Sequence, residues 1–514
     1  MVESRKKIPL KALLDILDAE IAVGNANKEL VVEKITSYSK NVEPNSVFVA
    51  YKGVKQDGHT YIEEALKKNP ALIVAENISP SFKKNSCPIL KVKDGREALS
   101  KLSAWFYNYP SSKLLTVGVT GTNGKTTTCW LIYSLLNSLG VKTALISTIG
   151  VFYGKEKKSQ PIEVTTPDSV SLQKELSSAL QKECQAAVIE ISSHSLDQKR
   201  VKDIFLNTAV FTNLTKDHLD YHKSMEDYFK AKRKIFSLLK NNKKGAVVNI
   251  ENSWGEKLYA LENKNALSVG RTKGEIQIKN KESSLLGTQF LVTSSLFGEA
   301  QGSSQLFGVH NLENIVCAVG ALCSLAKESG LSFSLQDVVK ELSQCSFPKG
   351  RLERVLPANK STKELINTAP LVFIDYAHTG DALAKVLSTL KPLCKEKLWV
   401  VFGAGGNRDP LRRKTLAEAA SSLADKIVVT SDNPRDEDPQ SIINDIKAAL
   451  PQGIQYEEIL DRREAIHFAV NNAAPLDVVL IAGKGHEEYQ IIKGKRFYFS
   501  DYQEAENALN QRNK

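Results

Sequence analysis

The string Gly118-Val119-Thr120-Gly121-Thr122-Asn123-Gly124-Lys125-Thr126-Thr127 constrains this chain more than any other. It overlaps the end of an apolar run, Leu114–Val119, and leads into a helical pattern of Trp130, Leu131, Ile132, Leu135, Leu136 and Leu139. A glycine-rich turn between a strand and a helix aims backbone N–H groups at whatever sits there, and the helix N-terminus favours negative charge. Lys125 adds a fixed cation and Thr126 a hydroxyl suited to Mg²⁺, so the string reads as a cradle for the phosphates of a nucleoside triphosphate. Gly121, Thr122, Asn123, Gly124, Lys125, Thr126 and Thr127 are its candidate residues. The spacing is tighter than the common G-x-x-x-x-G-K-[ST] loop, because Val119 stands where the first glycine would fall. A chance lysine in an ordinary strand-to-helix turn is the plain alternative, and the flanking strand and helix disfavour it.

At 514 residues the chain exceeds what one hydrophobic core serves, and the pattern divides it into three blocks. The first, 1–110, holds short strand candidates at Ser46–Tyr51 and Ala71–Ala75 around a helical Tyr61–Leu66 segment, and Tyr109–Ser112 looks like a linker. In the second, 111–349, apolar strands at Leu114–Val119, Lys142–Ile146, Ala186–Ile191, Thr208–Phe211 and Gly245–Ile250 alternate with helices, the rhythm of a parallel sheet. A polar stretch with strand-like pieces, Gly274–Phe307, and a helix around Asn311–Ala326 complete it. Near Phe347–Arg351 the alternation restarts, with strands at Leu371–Asp375, Leu398–Phe402, Lys426–Thr430 and Val478–Ala482. The third block, 350–514, therefore reads as a second, doubly wound α/β sheet.

Charge and cysteine narrow the classes. Lys and Arg outnumber Asp and Glu by 69 to 58, yet no run of basic and aromatic residues resembles a nucleic-acid module, so polyanionic small substrates are the expected partners. The cysteines form no C-x-x-C pair, which fits reduced thiols in a cytoplasmic protein. The basic, then amphipathic start reads as a surface helix rather than a signal peptide. No 18-residue apolar run is evident, so membrane insertion is not expected.

The other chemically rich strings lie just after strands, where open α/β sheets bind ligands. Glu190-Ile191-Ser192-Ser193-His194 and Phe211 through His222, including His218, offer oxygen and imidazole ligands for Mg²⁺ on a triphosphate. Glu190 is the stronger candidate, since a carboxylate at a strand end is otherwise costly to bury. Tyr228–Phe236, with Lys230, Lys232 and Lys234, reads by itself as a basic helix face. Beyond residue 350 come Asp375–Thr379, Gly403–Asp409, Asp432-Asn433-Pro434-Arg435 and Gly483-Lys484-Gly485-His486-Glu487. Arg408 and Arg435 are suited to bidentate carboxylate clamps. Gly403-x-Gly405-Gly406 does not complete a dinucleotide fingerprint, because Arg408 occupies the last glycine position.

Taken together, GVTGTNGKTTT, EISSHSL, FTNLTKDHLDYH, YFKAKRKIF, Gly308-x-His310-Asn311-x-x-Asn314, FPKGRLE and IDYAH resemble the Mur ligases, ATP-dependent amide ligases of peptidoglycan precursor synthesis. The resemblance runs through the second and third blocks in family order. It implies an N-terminal UDP-binding domain, a central P-loop-type ATPase domain and a C-terminal Rossmann-like domain, all α/β. The DNPR and GKGHE strings are similar to members that add meso-diaminopimelate to UDP-N-acetylmuramoyl-L-alanyl-D-glutamate through an acyl phosphate.

The resemblance further implies that Lys125, Glu190, His218 and Lys232 are catalytic. Thr126, Glu190, His218 and Lys232 would hold Mg²⁺, Lys232 as a carbamate formed with CO₂. Asn311, Arg351 and Asp375 would join the loop in binding ATP. Ser39, Thr165, Thr166, Ser192, Gln198 and Arg200 would bind the UDP-muramyl peptide, and Arg408, Asp432, Asn433, Arg435, Gly483 and Glu487 the amino acid. A monomer is expected. Arg435 also has a direct rationale. Meso-diaminopimelate ends in a carboxylate and an ammonium, lysine in an ammonium alone, and a bidentate arginine rewards only the first.

One string departs from the family, whose uridine-binding Asp-Ser-Arg is here Tyr38-Ser39-Lys40, leaving only the serine. The readings to be separated are the same ligase with L-lysine or another diamino acid, a folylpolyglutamate synthase-like ligase, and a nucleotide-gated binding protein without turnover.

Overall fold

The computed structural model describes residues 6–54, 56–84, 87–158, 164–240, 244–262, 266–346, 348–357 and 368–512. Phe347, at the expected second boundary, lies outside them. The chain forms two compact units. One comprises Met1–Ile278, Val292–Ala300 and Glu313–Glu341; the other comprises Lys279–Leu291, Gln301–Leu312 and Leu342–Lys514. The first block and most of the second thus share a unit, while 279–291, 301–312 and 342–349 of the second fall in the other.

In the first block, helix α1 (Leu10–Leu17) precedes five strands, β1 (Glu20–Val23), β2 (Lys34–Thr36), β3 (Ser46–Ala50), β4 (Leu72–Ala75) and β5 (Ile89–Lys91). They form a sheet in the order β1-β5-β4-β3-β2, parallel except for β1. Helix α2 (Gly95–Phe106) is capped by Asp94, whose carboxylate accepts from Glu97 N–H. Its Ala98, Leu99 and Leu102 join Leu10, Leu13 and Leu17 of α1 in one core with Val47 and Val49. Tyr109–Ser112, expected to be a linker, is ordered and packed. Pro110–Lys113 is a helical turn, and Ser111 is buried with its hydroxyl accepting from Phe205 N–H.

The central sheet follows. Its elements are β6 (Leu115–Thr120), α3 (Lys125–Ser138), β7 (Thr143–Ser147), β8 (Gly150–Tyr153), α4 (Ser169–Gln181), β9 (Ala186–Glu190), α5 (Ser193–Asp197), β10 (Thr208–Phe211), α6 (Met225–Arg233), β11 (Ala246–Asn249) and β12 (Leu267–Gly270). The order β8-β7-β9-β6-β10-β11-β12 places β6 between β9 and β10. Glu190 pairs with Val119, and Phe211 with Thr120. The ends of three neighbouring strands therefore come together, because parallel strands run their carboxyl ends to one edge. These strands are buried along their whole length, as the near-continuous apolar runs of a sheet covered on both faces require. Strands β13 (Ile276–Ser284), β14 (Gly287–Ser294) and β15 (Gly298–Ser304) occupy the polar stretch.

Helix α7 (Val309–Ser329) corrects the expectation of no long apolar segment. By length and mean hydropathy it is long and apolar enough to cross a membrane, but 78% of its most apolar window is buried inside the protein. It is a core helix.

The third block holds β16 (Leu371–Asp375), α8 (Gly380–Leu390), β17 (Leu398–Phe402), α9 (Leu411–Leu423), β18 (Lys426–Val429), α10 (Pro439–Ala448), α11 (Arg462–Asn472), β19 (Val478–Ala482) and α12 (Asp501–Arg512). Its parallel strands run in the order β16-β19-β17-β18, with Glu353–Arg354 antiparallel beside β16. Asp375 pairs with Ala482. The chain crosses from β16 past β19 to β17, so the loops after β16, β17, β18 and β19 open at one edge.

Candidate active site

The turn after β6 is built by its neighbours. Thr122 N–H donates to Asn213 O at 2.9 Å and Asn123 N–H to Asn213 Oδ1 at 3.0 Å. The Thr212 hydroxyl donates to Asn123 O at 2.7 Å. A Cβ on Gly121 would lie 1.9 Å from that hydroxyl. Gly124, with φ +81°, precedes α3, and a Cβ there would lie 2.1 Å from Asn314 Oδ1. Both glycines are required, the second by conformation and by contact. Lys125 Nζ donates to Gly121 O at 3.0 Å and Thr122 O at 2.8 Å, which holds its cation over the loop.

At the end of β9, Glu190 is 2% exposed. Its Oε1 accepts from the Thr126 hydroxyl at 3.0 Å and its Oε2 from Thr148 N–H at 3.0 Å. A carboxylate this deep is retained because both oxygens are satisfied. Thr126 and Glu190 together present hard oxygen donors at the helix N-terminus. Among the described residues no three His, Cys, Asp or Glu side chains gather as a metal cage. Two hard oxygen donors beside a phosphate cradle fit an ion such as Mg²⁺, which takes few protein ligands and completes its shell with phosphate oxygens and water.

Lys232 lies on α6, which Ser224 caps by accepting from Asp227 N–H. That cap phases the helix so that Lys232 is 1% exposed, whereas Lys230 and Lys234 face solvent. Its Nζ donates to Gly121 O at 2.7 Å and sits 4.6 Å from the centroid of the Tyr228 ring, one turn earlier. Burial, reinforced by the Lys125 cation, holds this amine well below the usual lysine range. A neutral amine is what reaction with CO₂ demands, so the side chain fits the carbamate expectation.

The His218 ring lies edge-on to His194 at 4.9 Å and to Tyr228 at 6.0 Å. His194 also lies 4.3 Å from Tyr221 and 5.4 Å from His222, and His222 stacks on Tyr228 at 4.9 Å. Burial, with neighbouring His218 and His222, pulls His194 down to about 4, and burial also lowers His218. The sequence offers His194, His218 and His222 as imidazole ligands and assigns a role to His218 alone. The EISSHSL and HLDYH strings carried the others, but an isolated histidine gives no sign of its neighbours.

The substrate candidates of the central block also converge. The Thr166 hydroxyl donates to Glu190 O at 2.8 Å and accepts from Ser192 N–H at 3.0 Å. Arg200 donates to Thr166 O at 3.2 Å and to Gln198 Oε1 at 2.6 Å. Thr165 is half-buried beside Thr166. Ser39 lies in the first block, its hydroxyl donating to Glu64 at 3.1 Å, while Tyr38 is exposed.

In the other unit, Asp375 at the end of β16 accepts from Leu352 N–H at 2.7 Å and Ala377 N–H at 2.8 Å, and burial raises its carboxyl. The Arg351 guanidinium lies 4.9 Å from the centroid of the Tyr376 ring. Asn311 donates to Phe307 O at 2.8 Å. The loops after β17, β18 and β19 bring together most of the amino-acid candidates. Arg435 Nη1 donates to Gly406 O at 2.6 Å, and Asn433 Nδ2 to Glu487 Oε2 at 2.8 Å. Gly483 has φ +117°, and a Cβ there would lie 2.5 Å from Asp432 Oδ2. Arg408 is exposed beside this group. Lys484, fully buried, was quoted in the sequence but given no role. Its Nζ donates to Asn433 Oδ1 at 3.5 Å and Glu487 Oε2 at 3.3 Å, which orients both.

Comparison with known proteins finds relatives along nearly the whole chain. The Mur ligase family catalytic domain matches residues 31–107, the Mur ligase middle domain 119–322 and the Mur ligase glutamate ligase domain 363–485. A UDP-N-acetylmuramoyl-L-alanyl-D-glutamate–2,6-diaminopimelate ligase of Chlorobium phaeobacteroides is 37% identical over 505 residues, covering 96% of this chain and 95% of the relative. The ligase of that name from Pseudomonas aeruginosa is 38% identical over 493 residues, covering 94% and 96%. A solved structure of a ligase of that name superposes with a TM-score of 0.69 at 30% identity, covering 99% of this chain and 100% of the other.

Proposed function

The chain belongs to the Mur ligase family, and from that premise we infer that it joins meso-2,6-diaminopimelate to UDP-N-acetylmuramoyl-L-alanyl-D-glutamate at the expense of ATP. It is an ATP-dependent acid–amino-acid ligase of peptidoglycan precursor synthesis. The observation that carries the residue assignment is the juxtaposition of a glycine loop, the Thr126–Glu190 contact and the buried Lys232 amine on Gly121 O.

The chemistry asks little covalent work of the protein and much positioning. ATP phosphorylates the D-glutamyl carboxylate, the amine of meso-diaminopimelate attacks the acyl phosphate, and the tetrahedral intermediate collapses to amide and phosphate. Lys125 and the N–H groups of the loop hold the transferring phosphoryl oxygens. Thr126 and Glu190, with His218 and a carbamylated Lys232, would hold Mg²⁺, which would supply charge neutralisation on the phosphates. The carbamate changes Lys232 from a cation-forming side chain to an anionic oxygen donor. Asn311, Arg351 and Asp375 bind the remainder of ATP. Thr165, Thr166, Ser192, Gln198 and Arg200, with Ser39 of the 1–110 domain, bind the UDP-muramyl peptide.

Arg408, Asp432, Asn433, Arg435, Gly483 and Glu487, in the 350–514 domain, bind the amino acid. The free, mostly buried cysteines accord with a cytoplasmic enzyme, and a monomer is the proposed state. The test is amide formation with meso-diaminopimelate and with L-lysine, on the parent and on Arg435→Ala. The parent prefers the first, because the half-buried Arg435 gains a bidentate carboxylate partner from meso-diaminopimelate and none from lysine. The variant raises the apparent KM for meso-diaminopimelate far more than that for ATP. Equal parental rates with lysine would overturn the role given to Arg435. Phosphate release without an amino acid would favour a nucleotide-gated binding protein instead.

A further inference from the structure

Behind the amino-acid loops lies an ion pair that the reaction itself does not use. Arg462 opens α11 and is 1% exposed; Asp501 opens α12 and is 0% exposed. The guanidinium engages the carboxylate bidentately, Nε to Oδ1 and Nη2 to Oδ2, both at 2.7 Å. Its other donors go to backbone. Nη2 donates to Ala482 O at 3.0 Å and Nη1 to Ser431 O at 3.3 Å. Ala482 ends β19 and is followed by Gly483; Ser431 follows β18 and is followed by Asp432.

We propose that Arg462, locked by Asp501, is a positioning residue that sets the two loops of the amino-acid pocket at their working separation. The proposal rests on the reading of Asp432, Asn433, Gly483 and Glu487 as that pocket. Each carbonyl held by Arg462 belongs to the peptide plane that launches one loop, so fixing both planes fixes where the loops begin. The two loops pack against each other just beyond the clamp, where a Gly483 Cβ would lie 2.5 Å from Asp432 Oδ2. A few tenths of an ångström of spreading there alters the pocket that Asn433 and Glu487 close by their mutual hydrogen bond. Strand β17 lies between β18 and β19, so the sheet does not tie the two strand ends to each other where the loops leave it. Farther out the loops do meet, Arg435 N–H donating to Ile491 O at 2.9 Å and Gln490 Nε2 to Asp432 O at 2.8 Å, and the clamp sets the bases from which those contacts start. The planar fork of an arginine reaches both carbonyls while holding its carboxylate, which a lysine cannot do. A fully buried ion pair adds little stability over an apolar pair of similar size, so stability alone does not account for it.

The test is the double variant Arg462→Met/Asp501→Leu in the full chain, with steady-state kinetics for each substrate and thermal unfolding. The proposal expects unfolding close to that of the parent and at least a tenfold rise in the KM for meso-diaminopimelate, since misplacement of about 1 Å costs up to a hundredfold. The KM values for ATP and the UDP-muramyl peptide stay within about twofold, because those contacts are made by other residues. Arg462→Lys and Asp501→Asn give the same split, and serve if the double variant does not fold. Hydrogen exchange of 431–435 and 482–487, which needs no substrate, accelerates in every variant. A folded double variant with unchanged KM for the amino acid, or with all three KM values raised alike, overturns the clamp. Unchanged exchange overturns it too. A parent with no turnover of meso-diaminopimelate would instead refute the substrate reading, and the exchange measurement would still judge the clamp.

Discussion

Replacing Gly124 with alanine tests whether the phosphate cradle is as tightly fitted as its contacts indicate. At φ +81° a residue with a side chain pays about 1–2 kcal/mol. The new Cβ would also stand 2.1 Å from Asn314 Oδ1, against an ordinary contact of 3.4 Å or more. Something must yield by more than an ångström, and overpacking of that kind costs about 1–3 kcal/mol. The two terms sum to about 2–5 kcal/mol. If the loop holds its shape, the cost falls on folding; if it relaxes, the N–H groups no longer converge and the cost falls on nucleotide affinity. Denaturant unfolding and calorimetric titration with ATP, measured on the same protein, capture both shares.

A cycle with Asn314→Ala separates the terms. Without the Asn314 amide, the glycine-to-alanine change costs only the conformational share of about 1–2 kcal/mol. Equal costs in both backgrounds, or a combined cost below about 1 kcal/mol in the parent, would refute the steric argument.

Two further outcomes are expected. Lys232→Ala loses turnover but is partly rescued by formate or acetate, which return an oxygen donor to the space beside Gly121 O; absence of rescue at any concentration would contradict the carbamate assignment. Glu97, hydrogen-bonded to Lys202 and Lys199, is held down to about 2 from an ordinary 4.5, Lys202 being the larger influence. A depressed carboxylate stabilises the fold above its unfolded pKa, so this contribution is full above about 4.5 and lost as pH falls toward 2. Solvent screening limits it to about 1 kcal/mol. The difference in unfolding free energy between parent and Glu97→Gln should therefore be present at pH 7 and vanish near pH 2; a constant difference would disprove the linkage.

What the sequence disclosed follows the range of the signal. The glycine loop was legible because strand, turn and helix lie within one local string. Strands Thr208–Phe211, Leu371–Asp375, Leu398–Phe402 and Val478–Ala482 were read to the residue, being short apolar runs between polar ends. Strand β8 is mostly buried and carries apolar Val151, Phe152 and Tyr153, but it was missed because it follows β7 after a two-residue turn, with no helix between them, outside the strand–helix alternation. By composition Tyr109–Ser112 read as a linker, because small and turn-forming residues look alike whether exposed or packed. Lys232 stood out from Lys230 and Lys234 only through family resemblance, although the Ser224 cap and the one-turn spacing from Tyr228 supply the physical reason. Arg462 and Asp501 were invisible: 39 residues apart, each sits in a polar helix start that reads as solvent-facing.

The turn after β6 and the segment after β10 hold each other through Thr212, Asn213 and Thr215 on one side and Thr122 and Asn123 on the other. They behave as one part in two pieces of chain. Transplanting TGTNGKT into another scaffold without its FTNLT counterpart would deliver a floppy loop, and randomising either string in a library would return survivors only as matched pairs. The unit of inheritance for nucleotide use in this protein is the pair of strings.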